Sequence, residues 1–148
     1  MSIITRNLTV PHQPAQMLDL VSDVRSYPDF VRWIRALRIL TETGQEASWT
    51  GRAQVAIEFK GINESFTTDV SVDRERRIVR VDLIEGPFRR LSNCWAFKPS
   101  GTGCEIDFFI DFEFSNKVLH MLFESNSSRA ISTLIGVFTN EALRRYGP

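Results

Sequence analysis

Few side chains in this sequence belong to the types that transfer protons, attack carbonyl carbons or hold metal ions. His12 and His120 are the only histidines, and neither has a cysteine, aspartate or second histidine at metal-ligand spacing. Asp107 and Asp111 offer a pair of carboxylates, but strand alternation assigns both to a solvent-facing side. The short motifs of serine hydrolases, P-loop proteins, dinucleotide-binding folds and zinc metalloproteases are absent. The sequence therefore predicts no catalysis, no metal site and no resident cofactor.

The overall composition limits the size and the partners of the protein. A chain of 148 residues can bury about 70% of its unfolded surface in one domain. Its formal net charge is zero, so no overall field draws it to DNA or to an anionic membrane. Cys94 and Cys104 have no metal-like spacing and are predicted to be free thiols. Because no signal-like start and no apolar run of about 18 residues is present, we expect a cytoplasmic protein, with any inner-membrane contact confined to the membrane surface.

Positive charge is carried mainly by arginine, with 15 arginines against three lysines. Clusters of arginine occur at 32–38, 74–80 and 89–90. We interpret these clusters as solvated faces that neighbouring acidic residues balance. The alternative interpretation is contact with anionic lipid headgroups or with ribosomal RNA phosphates.

Alternation of apolar and polar residues dominates the middle of the chain and predicts consecutive antiparallel strands. Short turns rich in glycine, proline and charged residues separate these strands. We predict strands at 3–10, 34–42, 46–58, 62–72, 78–85, 90–98 and 104–114, with short helices at 14–22 and 24–33 after the first strand. The last strand is the clearest, because Cys104, Ile106, Phe108, Ile110, Phe112 and Phe114 point to one side.

A long C-terminal helix over 115–146 is predicted from apolar residues that recur at three- and four-residue steps. The stripe that we expect to be covered comprises Val118, Leu122, Ile131, Leu134, Ile135, Phe138 and Ala142. Ser115 or Asn116 is suited to cap the first turn, and Gly147 to end the helix. Four poor helix formers at 125–128 predict a kink or an irregular turn.

Together these elements predict an α+β domain in which a curved antiparallel sheet packs on one long helix. A twisted sheet meets a straight helix along only part of its length. The remaining space is either a hollow lined by apolar and aromatic side chains or a fully packed core, since both produce the same sequence pattern. A hollow of this kind would suit a hydrophobic small molecule.

Three aromatic motifs carry a resemblance to a known family. Tyr-Pro-x-Phe-x-x-Trp occupies 27–33, Phe-Lys-Gly-x-x-Glu-x-Phe-Thr occupies 59–67, and Gly-Pro-Phe-x-x-Leu-x-x-x-Trp-x-Phe occupies 86–97. Followed by a Phe-rich last strand and a long helix, these motifs resemble the coenzyme Q-binding START-domain family. That family belongs to the polyketide cyclase and lipid-transfer, or helix-grip, superfamily. The resemblance covers the chain from about residue 3 to residue 146.

The resemblance implies a seven-stranded antiparallel sheet that grips the C-terminal helix around an apolar tunnel. It also implies that the protein binds ubiquinone or a related isoprenoid lipid and delivers it to the respiratory chain without catalysis. Some bacterial relatives are instead ribosome association toxins that block subunit joining. A small-molecule cyclase or dehydratase is a third alternative, which would need a titratable group pointing into the tunnel. The residues alone leave these alternatives open.

The candidate ligand-binding residues follow from this resemblance. On the sheet side they are Phe66, Val70, Leu83, Trp95, Phe97, Phe108 and Phe112, and on the helix side Leu134, Ile135 and Phe138. Near the mouth we expect Tyr27, Phe30, Trp33, Pro87 and Phe88. A tyrosine hydroxyl or a tryptophan indole N–H is predicted to donate a hydrogen bond to a quinone carbonyl. Each of these residues is also suited to an ordinary core position.

Overall fold

The computed structural model describes residues 2–45, 47–59 and 61–148. Its strands are Ser2–Val10 (β1), Ile34–Gly44 (β2), Ser48–Phe59 (β3), Ile62–Asp73 (β4), Ile78–Glu85 (β5), Phe88–Ser100 (β6) and Gly103–Phe114 (β7). Its α-helices are Pro14–Ser22 (α1), Tyr27–Phe30 (α2), Lys117–Glu124 (α3) and Ser127–Tyr146 (α4), and a 3₁₀ turn at Val24–Ser26 precedes α2. Every predicted strand is present within a few residues of its expected bounds. Glu46, the predicted start of one strand, and Lys60 of the second aromatic motif lie outside the described residues.

The seven strands form one antiparallel sheet in the order β1-β7-β6-β5-β4-β3-β2. From β2 to β7 each strand pairs with the next one in sequence, because the turns between them are short. The first strand instead pairs with the last, from Ser2 opposite Phe112 to Val10 opposite Cys104. The sheet curves around the helices. The predicted α+β, helix-grip architecture with short helices after the first strand is confirmed.

Alternation of apolar and polar residues gives each strand one buried face and one solvent-exposed face. On β7, Cys104, Ile106 and Phe108 are buried on the inner face. On the outer face, residues of neighbouring strands form ion pairs, for example Arg52 Nε 3.0 Å from the Asp69 carboxylate. Exposed pairs of this kind stabilise a fold very little, so the apolar face decides which side of each strand turns inward.

Helix α1 covers one end of the inner face. Pro14 lies in its first turn, where the missing N–H has no intrahelical partner to lose. Met17, Leu20 and Val21 are fully buried where α1 contacts β5, β6, β7 and α4. Burial of each such side chain contributes about 1.5–3 kcal/mol, which anchors α1 to the sheet.

The C-terminal segment forms two helices where the sequence predicts one. The break falls at Ser125 and Asn126, inside the stretch of poor helix formers. Asn116 caps α3 as predicted, since its side-chain oxygen accepts the Leu119 N–H at 3.1 Å. Gly147 ends α4 with a φ of 79°. No helix among the described residues is long and apolar enough to cross a membrane.

The break changes which residues of this segment face the sheet. Phe138 and Ala142 of α4 are buried, as the apolar stripe predicts. Val118 and Leu122 of α3, assigned to the same stripe, are instead 68% and 61% exposed. The prediction of one covered stripe is wrong because the interruption rotates α3, so that Phe123 turns inward.

Candidate functional site

An apolar cavity of about 460 Å³ lies between the inner face of the sheet and the helices. Helix α4 rests on α1, α3 and β1, so it spans the sheet without filling the space above the middle strands. Of the two alternatives that the sequence leaves open, the hollow is the one present. The polar residues among its described lining are Tyr27, Thr68, Asn93, Asn126, Arg129 and Thr133.

The mouth of the cavity lies where α3 meets α4. Asn126, Arg129 and Thr133 are exposed lining residues, and all belong to the break or to the first two turns of α4. The other lining residues in the described ranges are buried or half-buried. A ligand therefore reaches the cavity beside the helix break.

Aromatic rings close the cavity at the other end. Phe138 contacts Tyr27, Phe30 and Trp95 with ring-centroid distances of 5.2, 5.3 and 5.1 Å. Tilted and edge-to-face contacts at these distances are favourable for aromatic rings. Phe138 lies nine residues, or roughly 13 Å, along α4 from Arg129 at the mouth. Tyr27 and Phe30, which were predicted near the mouth, both contact Phe138 at this end of the cavity, and their role at the mouth stays a prediction.

The Gly-Pro-Phe turn forms the wall next to α3. Phe88 meets the edge of the Phe66 ring at a centroid distance of 5.3 Å. Gly86 has a φ of 154°, and a Cβ atom there would lie 2.4 Å from the Phe66 Cβ, so the turn requires glycine. The Pro87 carbonyl accepts the Ser115 N–H at 2.8 Å, which ties this turn to the start of α3.

Two of the predicted hydrogen-bond donors are already engaged within the protein. The Tyr27 hydroxyl donates to the Val21 carbonyl, and burial, with the Asp23 carboxylate nearby, raises the pKa of Tyr27. Trp95 Nε1 donates to Asn93 Oδ1 at 3.1 Å. Each group has a single proton to donate. The prediction of a quinone-binding tyrosine hydroxyl or indole is therefore not supported at Tyr27 or Trp95.

Thr68 is the buried polar group of the wall that the sequence analysis did not single out. It is 2% exposed and borders the cavity between Phe66 and Val70 on the inner face of β4. Its hydroxyl makes no hydrogen bond to the described part of the chain. A hydroxyl on the wall of a cavity can donate to a ligand that accepts hydrogen bonds. The available sequence signal was a polar residue at an inward position of an alternating strand.

Most of the candidate ligand-binding residues border the cavity. Those that do are Tyr27, Trp33, Phe66, Val70, Phe88, Trp95, Phe108, Phe112, Leu134 and Phe138. The candidates outside its described lining are Phe30, Leu83, Pro87, Phe97 and Ile135. A ligand-binding role for any of them stays a prediction.

The candidates outside the lining have local reasons for their positions. Phe97 is 1% exposed and continues the inner face of β6 beyond Trp95, where α1 covers the sheet. Leu83 packs at the end of β5, near Gly86. Ile135 is buried on α4 at about 100° from Leu134, which places it on the flank of the helix.

The ring of Phe30 lies under the Arg145 guanidinium, 5.6 Å from its centroid. Pro87 belongs to the turn whose carbonyl contact with Ser115 holds it beside the wall. Both residues therefore support wall residues from behind, Phe30 through Phe138 and Pro87 through its neighbour Phe88.

Several wall residues were not predicted. Strand β3 contributes Ala53, Val55 and Ile57, which alternate as regularly as the residues of β4. Phe123 and Arg129 also border the cavity. The prediction of one continuous C-terminal helix did not place either residue on the side that faces the sheet. The alternation was therefore a sufficient signal for β3, whereas the helix break left none for α3.

The arginine clusters are mostly engaged in ion pairs with acidic neighbours. Arg74 lies 2.7 Å from Asp19, and Arg89 lies 3.5 Å from Glu113. The arginine side chains of these pairs are 45% and 60% exposed, so the pairs are partly solvated. This arrangement agrees with the interpretation of the clusters as balanced outer faces.

The titratable groups at the cavity are few. Among the described lining residues they are Tyr27, which stays protonated, and Arg129 at the mouth. In the described ranges, no three histidine, cysteine, aspartate or glutamate side chains are grouped so as to hold a metal ion. The site can therefore enclose an apolar molecule and offer it the Thr68 hydroxyl.

Comparison with known proteins gives relatives that span nearly the whole chain. The profile of the family described as polyketide cyclase / dehydrase and lipid transport matches residues 10–139. Ribosome association toxin RatA of Escherichia coli (strain K12) is 34% identical over 144 residues, which cover 97% of this chain and 88% of that protein. The mitochondrial coenzyme Q-binding protein coq10 of Schizosaccharomyces pombe is 28% identical over 135 residues, which cover 90% and 82%.

A solved structure of similar fold supports the same assignment. The 18 kDa protein of Caulobacter crescentus matches with a TM-score of 0.83 at 34% identity, and the match covers 100% of both chains. The matched family region also contains all three aromatic motifs. The chain therefore belongs to the polyketide cyclase / dehydrase and lipid transport family, within the START-like group that its aromatic motifs predict.

Proposed function

We propose that this protein binds a hydrophobic small molecule of the ubiquinone class and carries it in support of cellular respiration. The observation that carries the proposal is the open apolar cavity of about 460 Å³. Pockets of roughly 300–1,000 Å³ bury most of a drug-sized ligand. A quinone ring with the first part of its tail is a ligand of that size, and the rest of the tail would lie at the mouth.

The few polar groups of the wall support a ligand that is mostly apolar and accepts hydrogen bonds. A quinone ring carries carbonyl oxygens and no donor, so it can accept the Thr68 O–H that no described residue accepts. The similarity to coq10, which is named for binding coenzyme Q, favours the same ligand class for this chain. In this proposal Thr68, and not a tyrosine or tryptophan, donates the hydrogen bond to a quinone carbonyl.

The energetics of such a carrier require burial rather than catalysis. Covering several hundred Å² of apolar ligand surface contributes on the order of 10 kcal/mol at 25 cal/mol per Å², before ordering and desolvation are subtracted. We therefore propose a binding protein and not an enzyme. We place it in the cytoplasm, with transient contact at the inner membrane, where such a lipid is stored.

The test is a titration of the purified protein with a short-tailed ubiquinone analogue, in which the quenching of tryptophan fluorescence measures binding. Trp33 and Trp95 border the cavity and would be quenched by a ring bound there. We expect saturation at about one ligand per chain. Quenching that never saturates would contradict the proposal.

A variant that obstructs the mouth makes this test specific to the cavity. Ala130 is half-buried and borders the cavity, so Ala130→Phe adds a ring to the space that the ligand would occupy. We expect affinity to fall by about tenfold or more, with little loss of stability. Ala15→Phe on the exposed side of α1 is the matched control and should bind as the wild type does.

A second candidate function is ribosome association, as in the relative named ribosome association toxin. The 34% identity to that relative over most of both chains favours it. Cosedimentation with ribosomal subunits that falls steeply as salt rises would support this function, since phosphate contacts are salt-dependent. Organic extraction of the purified protein separates the two candidates, because a carrier should release a copurified quinone or other lipid.

A small-molecule cyclase is the third alternative, and the wall of the cavity gives it less support. Such a reaction needs an acid or base within reach of the substrate. Tyr27 is held protonated and donates its proton to Val21, and Arg129 lies at the mouth. For this reason we favour binding over catalysis in the cavity.

A further inference from the structure

We propose that α3 is a docking surface for an anionic lipid bilayer and that it brings the cavity mouth to the membrane. The inference rests on the proposed carrier function for its purpose. Its evidence is separate, because it comes from the outer surface of α3 and not from the cavity. The chemical partner is a membrane that contains negatively charged phospholipid headgroups.

The outer face of α3 is the most exposed large apolar surface among the described residues. Val118, Met121 and Leu122 are 68%, 71% and 61% exposed. Their spacing of three and four residues places them together on one side of the helix. A contiguous apolar patch on a folded domain marks a surface that contacts something other than water.

The inner face of the same helix belongs to the cavity. Phe123 borders the cavity and contacts the rings of Phe112 and Phe114 at centroid distances of 5.4 and 5.3 Å. The mouth residue Asn126 follows only two residues after the end of α3. The helix is therefore a thin partition, with the cavity on one side and an uncovered apolar surface on the other.

The charges around this surface suit negatively charged headgroups. Lys117 and Arg129 are exposed near the two ends of α3, and neither forms an ion pair with any described residue. The acidic residue of α3, Glu124, has its carboxylate 2.9 Å from His120 Nε2, on its own helix. Each basic residue near an anionic membrane contributes about 1 kcal/mol, and exposed apolar side chains add to this by burial at the interface.

Two other occupants of this surface fit less well. Three side chains provide an apolar patch of only a few hundred Å². A stable interface with a second copy needs about 800 Å² on each partner. Ribosomal RNA is bound mainly through contacts between basic groups and its phosphates, and three exposed apolar side chains do not contribute to such contacts. The combination of a small apolar patch with basic residues at its ends is characteristic of membrane-surface helices.

The test is flotation of the purified full-length protein with lipid vesicles. The wild type should bind vesicles of phosphatidylethanolamine and phosphatidylglycerol more strongly than vesicles of phosphatidylcholine alone. The triple variant Val118→Ser, Met121→Ser and Leu122→Ser should lose about tenfold or more in partitioning to the anionic vesicles. Leu40→Ser combined with Ile84→Ser, two exposed apolar residues on strands, is the control and should partition within about twofold of the wild type.

Two results would overturn the docking surface. One is a triple variant that binds anionic vesicles as the wild type does. The other is loss, in the triple variant, of a wild-type dimer or of wild-type cosedimentation with ribosomal subunits, without any change in vesicle binding. Either result would assign the patch to a different partner.

The same variants separate the docking surface from the proposed carrier function. In solution without vesicles, the triple variant should bind the ubiquinone analogue as the wild type does, because the substituted side chains point away from the cavity. Vesicle binding without quinone binding by the wild type would contradict the carrier and leave the docking surface standing. Quinone binding without vesicle binding would contradict the docking surface alone.

Discussion

The two ends of α4 differ in how deeply their side chains are buried. At the C-terminal end, Phe138 and Ala142 are 2% and 0% exposed, and Glu141 bonds both Arg144 and Arg145. At the N-terminal end, the lining residues Arg129 and Thr133 are exposed, and the preceding helix presents apolar side chains to solvent. One helix is thus fixed in the core at one end and borders open space at the other.

This difference shows how a single helix can stabilise the fold and still leave room for a ligand. At the closed end, Arg145 contacts Asp23 at 3.2 Å and lies over the ring of Phe30. His12 Nε2 lies 2.7 Å from the Gly147 carbonyl, which holds the last turn against the start of α1. We therefore expect substitutions at the closed end to change stability and substitutions at the open end to change binding.

The largest expected effect comes from truncating two apolar residues of α4, the buried Phe138 and the half-buried Leu134. Phe138→Ala removes a ring that contacts three other rings and should lower the free energy of unfolding by about 3–5 kcal/mol. Leu134→Ala, at the cavity wall, should cost only about 1 kcal/mol, because the removed atoms already faced open space. Urea denaturation measures both values. Equal losses would show that the two ends are packed alike.

The charge of the Glu141 carboxylate is expected to stabilise the closed end of α4. Hydrogen bonds from Arg144, and then Arg145, lower the pKa of Glu141 from 4.5 to about 2. Because the folded pKa lies below the unfolded value, the contribution is complete above about pH 4.5 and is lost as the pH falls toward 2. Glu141→Gln should therefore cost about 2 kcal/mol at pH 7 and progressively less in acid.

Thermal unfolding of wild type and variant between pH 7 and pH 3 measures this difference. Glu124→Gln on α3 is the control at the open end, where the carboxylate is 49% exposed. It should change stability by less than about 0.5 kcal/mol at any pH in that range. A stability difference for Glu141→Gln that does not shrink in acid would contradict the assigned pKa.

Thr68 tests the wall of the cavity. Thr68→Val keeps the shape of the side chain and removes a wall hydroxyl that donates to no described residue, unlike that of Tyr27. Affinity for the ubiquinone analogue should fall about five- to tenfold, while stability is unchanged or slightly higher. Thr67→Val, at a residue that is 5% exposed and does not border the cavity, is the control for the substitution itself. Equal affinities for the two variants would remove Thr68 from the site.

The cap of α3 is expected to have a small effect on global stability and a larger effect on local opening. Asn116→Ala removes the hydrogen bond that the Leu119 N–H donates. Because α3 contacts mainly β7 and α4, we expect less than about 0.5 kcal/mol of global destabilisation. Local opening should rise about fivefold, visible as faster hydrogen exchange over 117–124 only. Faster exchange throughout α4 would show that the two helices unfold as one unit.

The sheet was predictable from sequence because alternation and turn residues are local signals. Phe108 and Phe112 on β7 and Val70 on β4 take the inner face that their alternation assigns. The cavity was not predictable in the same way, since a wall residue and a core residue obey the same alternation. What distinguishes them is the distance between the sheet and α4, which depends on how α4 rests on α1 and β1.

The mouth was not predictable because it depends on the phase of two helices. Ser125 and Asn126 indicate an interruption, but the rotation that follows is set by the contacts of Phe123 with Phe112 and Phe114. These contacts are between a helix and a strand, so no helical or strand periodicity in the sequence predicts them. The exposure of Val118 and Leu122 follows directly from that rotation.

The pairing of β1 with β7 has a consequence for synthesis of the protein. Ser2 lies opposite Phe112, so β1 has no partner strand until β7 has been made. At a translation speed of about 5–20 residues per second, it waits for roughly 5–20 s. During that interval β1 is an unpaired strand, whose free backbone groups favour pairing with other chains. The growing polypeptide should therefore depend on chaperones until β7 emerges from the ribosome.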